Sequence, residues 1–151
     1  MPMGDGSGEA PSVKILLVED SKHIQRENER VLTKAGYQVV CAGDGESALR
    51  FAREAKPDLI LLDMILPGMS GPDVLKHLKS EAETEKIPVV VVSSLSQINR
   101  QKLLEAGAEE YLEKNQVMPK QGVNLLAHML EDVICRINRK RGIAFTDVPL
   151  H

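Results

Sequence analysis

Five short apolar runs punctuate the chain: Val13–Val18, Tyr37–Cys41, Leu59–Leu62, Val89–Val92 and Glu110–Leu112. They begin 24, 22, 30 and 21 residues apart, which leaves room for one helix between each pair. Runs rich in Val, Ile and Leu on both faces are what a parallel sheet covered on two sides demands. A parallel connection needs a crossover, so hairpins are excluded.

The intervening segments carry the helical period. In Ser21–Ala35, Ile24, Val31, Leu32 and Ala35 share a face, with Gly36 as terminator. Asp44 is placed to cap a second helix running to about Ala55, burying Ala48, Leu49 and Ala52. Val74, Leu75 and Leu78 mark a third. A fourth, short and polar, is expected over Ser96–Ala106, closed by Gly107. The last is expected over Val123–Asn138, where Val123, Leu126, Ala127, Leu130, Ile134 and Ile137 form one stripe. A second stripe, Leu125, Met129 and Val133 with Cys135 nearby, reads equally as a broad core face or a partner surface.

Five alternating βα units give a doubly wound α/β sandwich with helices on both faces. Periodicity alone leaves the strand order open, and 2-1-3-4-5 suits five units. Residues 1–12 read as a leader, 13–138 as the domain, and 139–151 as a basic then apolar tail too short for a second domain.

Composition narrows the class. Of 151 residues 42% are hydrophobic and 27% charged, the balance of a soluble globular chain. With a net charge of −3, nothing in the bulk charge points towards nucleic-acid binding by this domain or towards an anionic membrane surface, and neither partner is expected. No apolar run is long enough to span a bilayer, and no signal peptide is visible. Cys41 and Cys135 lack pairing or metal-ligand spacing and read as small reduced hydrophobes, which suits a cytoplasmic setting. The four histidines are scattered and expected to face solvent, and Gly43-Asp44-Gly45 lacks the third glycine of a nucleotide loop.

In an open α/β sheet the functional crevice lies outside the carboxyl ends of the strands. The first strand ends in Glu19-Asp20, the third in Asp63, the fourth in Ser93-Ser94, and Lys114 follows the fifth. The expected strand order makes these neighbours. Three carboxylates in one place repel unless a cation intervenes, and an oxygen-rich cluster with open positions suits Mg²⁺. With Lys114 as a mobile positive charge and Ser93 as a hydroxyl donor, the set fits a phosphoryl group. Asp63 is then the natural nucleophile, since aspartate forms an acyl phosphate. Each residue alone has a duller reading: Glu19-Asp20 as an acidic turn, Ser93-Ser94 as a helix cap, Lys114 as a surface lysine. Their shared location favours the functional one.

ILLVEDS (Ile15–Ser21), DLILLDMILPGMSG (Asp58–Gly71), IPVVVVSS (Ile87–Ser94) and GAEEYLEK (Gly107–Lys114) occur in this order and spacing. Together they resemble the receiver domain of two-component response regulators, over about Val13 to Asn138. The resemblance implies the flavodoxin-like fold and a phosphorylation switch rather than an enzyme with output of its own. It implies that Glu19 and Asp20 form the acidic metal pair, that the Met64 carbonyl is a further Mg²⁺ ligand, and that Asp63 accepts phosphate. Ser93 matches the switch hydroxyl, Tyr111 the rotating aromatic, and Lys114 the lysine bridging to phosphoryl oxygens. Pro67, Gly68 and Gly71 match the turn after the phosphorylated residue. The implied partner is a sensor histidine kinase or phosphotransfer protein. A homodimer through the fourth helix, fifth strand and fifth helix is a further expectation.

The chain departs from that pattern at Asn115, where the family usually has proline, commonly in a cis bond. A cis bond without proline costs about 2.5–4 kcal/mol, so a trans peptide and a reshaped loop are expected. The loop NQVMPKQG also looks long. Ile65 and Leu95 stand two residues after Asp63 and Ser93, and the resemblance implies that these positions influence how water reaches the phosphoryl group, so an altered phosphoryl lifetime is expected. Two other classes compete. A Mg²⁺-dependent phosphohydrolase of the haloacid dehalogenase type would need a second aspartate at position 65, which is Ile65. A degenerate receiver that only binds partners would lack part of the site.

Overall fold

A computed structural model describes residues 13–94, 100–120 and 122–141. In chain order the elements are β1 (Lys14–Val18), α1 (Lys22–Lys34), β2 (Gln38–Ala42), α2 (Gly45–Ala55), β3 (Leu59–Asp63), α3 (Gly71–Ser80), β4 (Val89–Ser93), α4 (Arg100–Glu105), β5 (Glu110–Glu113), α5 (Lys114–Val117) and α6 (Leu126–Arg141). The strands form one parallel sheet in the order β2-β1-β3-β4-β5. The expected flavodoxin-like order is therefore the observed one.

The period of two along each strand divides the core into two layers. Leu16, Val18, Ile60, Leu62, Val89 and Val91 face one way and pack with Ala48, Leu49, Val74, Leu75, Leu78 and Leu103 from α2, α3 and α4. Ile15, Leu17, Leu59, Leu61, Val90 and Leu112 face the other and pack with Leu32, Leu126, Leu130, Ile134 and Ile137 from α1 and α6. Helices α1, α2 and α3 start on side-chain caps: Ile24 N–H donates to Ser21 Oγ (3.4 Å), Ser47 N–H to Asp44 Oδ1 (2.8 Å) and Asp73 N–H to Ser70 Oγ (3.3 Å).

One helix boundary differs from expectation, and another lies partly outside the described residues. α4 is described only from Arg100, and the start expected at Ser96 lies outside the described residues, as do Leu95, the leader and the end of the tail. α6 begins at Leu126 rather than Val123. Gly122 takes a left-handed φ of +82° and Asn124 Oδ1 accepts the Leu126 N–H at 2.9 Å, so the helix starts three residues later. Val123 and Leu125 precede the helix and are exposed, whereas Val133 is fully buried and Met129 packs against the core. The second stripe is thus mainly core. Cys41 and Cys135 are free and half-buried, and His23, His77 and His128 are exposed, while His151 lies outside the described residues.

Candidate functional site

The carboxyl ends of β1, β3, β4 and β5 deliver Glu19-Asp20, Asp63, Ser93 and Lys114 to one edge of the sheet. The Lys114 ammonium is the hub. Its Nζ lies 3.0 Å from Asp63 Oδ2 and 3.3 Å from Glu19 Oε1. The second oxygen of each acid is held by backbone: Ile65 N–H donates to Asp63 Oδ1 (3.1 Å), and Ser21 N–H to Glu19 Oε2 (3.2 Å). Asp63 and Glu19 are each only 4% exposed, while Asp20 is open to solvent.

Burial pushes the Glu19 carboxyl above its ordinary value, and the Asp63 charge pushes the same way against the pull of Lys114. For Lys114, burial opposes the charged form, but the hydrogen bond and charge of Asp63, with Glu19 behind them, more than offset it and hold the ammonium above its usual range. The site is short of positive charge. One oxygen from each of Glu19, Asp20 and Asp63 lies within 4.8 Å of the others. Three carboxylates against one ammonium, with oxygen donors throughout, fit a hard dication such as Mg²⁺. The Met64 carbonyl accepts the Gly71 N–H at 3.1 Å and keeps a second lone pair.

Gly71 has a steric reason to be glycine. A Cβ there would stand 2.5 Å from Met64 Cα and 2.7 Å from the Asp63 carbonyl oxygen. The start of α3 thus lies directly against the backbone of the site. Ser93 is fully buried and lines a cleft of about 350 Å³ with Met64, Lys102, Leu103 and Tyr111. Tyr111 is itself turned inward, at 5% exposed.

The segment after Lys114 is not simply a loop. Lys114 opens a single helical turn, closed by Met118 N–H on the Lys114 carbonyl at 2.8 Å, with Val117 buried beneath. No peptide among the described residues is cis, so Lys114–Asn115 is trans, as expected for a non-proline residue.

The family described as the response regulator receiver domain matches residues 15–126. The chain belongs to that family. The receiver is 44% identical over 102 residues to the phosphate regulon transcriptional regulatory protein PhoB of Escherichia coli, a match covering 67% of this chain and 44% of that protein. It is 41% identical over 104 residues to the response regulator PleD of Caulobacter vibrioides, covering 68% of this chain and 23% of that protein. It therefore spans less than half the length of these curated relatives. Among solved structures, the Francisella response regulator 1452 receiver domain superposes with a TM-score of 0.71 at 26% identity, covering 87% of this chain and 99% of that one. No helix among the described residues is long and apolar enough to cross a membrane.

Three residues of the receiver's site region escaped the sequence reading. Gln25 Nε2 donates to the Glu19 carbonyl at 2.9 Å and pins the turn that carries the acids. Asn28 is buried on α1, and Asn124 Nδ2 donates to its Oδ1 at 2.9 Å from 96 residues away. The signal was present: Asn28 stands one turn from Ile24 and one from Leu32, a polar residue in an otherwise apolar seam.

Proposed function

We propose that this receiver is a phosphorylation-dependent switch in which Asp63 accepts a phosphoryl group from the phosphohistidine of a partner histidine kinase or phosphotransfer protein. The observation that carries this reading is the position of Lys114 Nζ between the buried carboxylates of Asp63 and Glu19. An Asp63 oxygen attacks phosphorus in line, an O–P bond forms, and the P–N bond to the donor imidazole breaks. Glu19, Asp20, Asp63 and the Met64 carbonyl would hold Mg²⁺, which supplies positive charge to the phosphoryl oxygens. The Ile65 N–H orients Asp63, and Lys114 counters the developing charge.

Phosphorylation adds about 1.5 to 2 negative charges at this edge. Ser93 hydrogen-bonds to a phosphoryl oxygen, and the space beside it, the cleft it shares with Tyr111, changes with it. The face of α4, β5 and α6 then alters for a partner, a second copy of the chain included. Ion pairs Arg136–Glu110 (3.3 Å) and Lys140–Glu109 (3.8 Å) lie on that face. Ile65 is 54% exposed and has no acid to offer a leaving group, which supports a switch over a phosphohydrolase.

Incubation with a small-molecule phosphodonor and Mg²⁺, read by intact-mass spectrometry, tests the assignment. A single hydroxylamine-labile phosphoryl adduct is expected on the wild type and none on Asp63→Asn. An adduct persisting in that variant would refute it.

A further inference from the structure

The polar seam residue of α1 sets up a site beneath the carboxylates. Asn28 is 6% exposed and its Oδ1 accepts from Asn124 Nδ2. The orientation of both amides follows from their partners. Asn124 must turn its oxygen to the Leu126 N–H, so its nitrogen is the end that meets Asn28. Asn28 must then answer with its oxygen, and its own Nδ2 points away. That buried donor has no protein partner among the described residues. The large majority of buried donors of this kind are satisfied in folded proteins, by protein or by ordered water.

Asn28 lines a cavity of about 10 Å³ walled by Leu17, Leu61 and Leu126, whose other polar side chains are Glu19 and Asp63. The space holds about one water molecule. Such a water would accept one hydrogen bond from Asn28 Nδ2 and have two protons left for two carboxylates.

We infer that Asn28 is a positioning residue of the acidic site: its Nδ2 fixes one buried water that donates to Glu19 and Asp63 and so sets how they face a divalent cation. The inference rests on the metal-binding reading above. Partners outside a metal's own ligands commonly govern affinity by about 10-fold or more. Asn124 selects which end of the Asn28 amide is presented, while the carboxylates themselves attract the donor.

The test uses Mn²⁺ alone as probe, with free ion counted by electron paramagnetic resonance, and a high-resolution crystal structure of the wild type. A water bridging Asn28 Nδ2 to a carboxylate is expected, and a dry cavity would overturn the inference. Asn28→Leu should weaken Mn²⁺ binding about 10-fold without lowering the melting temperature, since leucine suits the seam. Should it fail to fold, Asn28→Val takes its place. Asn124→Ala, which cuts the loop tie but leaves the Asn28 donor, should bind within about 3-fold of wild type. If it reproduces the whole loss, the tie rather than the water is responsible and the inference falls. Wild-type Mn²⁺ affinity in Asn28→Leu overturns the inference alone. A wild type that binds no Mn²⁺ overturns the metal reading and this inference with it.

Discussion

Lys114 Nζ meets Asp63 Oδ2 at 3.0 Å, joining two residues 51 positions apart at the ends of strands that are not sheet neighbours. The contact reaches across β4, and Glu19 on the far side shares the same ammonium. Replacing Lys114 with Met should slow phosphoryl uptake from a small-molecule donor by about 100-fold, the usual loss when one preorganised charged donor is removed. The time course of adduct formation measures it, and Mg²⁺ in excess should recover little of the rate.

Gly71→Ala places a methyl against Met64 Cα and the Asp63 carbonyl, where nothing flexible can yield. Backbone must shift, and overpacking of this kind costs about 1–3 kcal/mol. Urea unfolding should show a lower midpoint at unchanged slope. Because the strain falls on the Asp63–Met64 peptide, Mn²⁺ affinity should fall as well.

The Cys41 thiol is pushed up to about 11 from an ordinary 9.0, by burial first and by the Glu29 carboxylate second. Only the thiolate is nucleophilic, so a raised value leaves less of it at any pH below 11. In a Cys135→Ser background at pH 8, iodoacetamide should modify folded Cys41 at least ~100-fold more slowly than the urea-unfolded chain. The gap should narrow as pH rises towards 11, because ionisation then ceases to limit the folded thiol.

Asn115→Pro would impose the more common residue on a backbone built without it. A following proline disfavours the helical region at Lys114, the first residue of α5. The turn Lys114–Val117 should unwind and the Lys114–Asp63 contact loosen. Carbon-13 shifts of residues 114–117 should lose their helical offset, and retention of that offset would show that the turn tolerates proline.

Sequence pattern alone carried the architecture a long way. Alternation of buried runs with helical periods implied five βα units; periodicity left the strand order open, and the order 2-1-3-4-5 that suits five such units is the one observed. Glu19, Asp63, Ser93 and Lys114 were legible because each stands at the carboxyl end of a strand, where a doubly wound sheet opens its crevice. Local chemistry was less visible at the start of α6, where the left-handed Gly122 and the cap by Asn124 override an apolar period that continues back to Val123.

What the sequence determined by itself is therefore the fold, the family and the set of residues that converge. Hydrophobic period and strand-end position are local properties that a chain carries whatever its neighbours do. Only tertiary structure decided that Lys114 bridges Asp63 and Glu19, that Gly71 must lack a side chain, and that Asn28 and Asn124 meet beneath the site. These depend on distances between segments far apart in the chain, and such distances exist only once both layers of the core have packed.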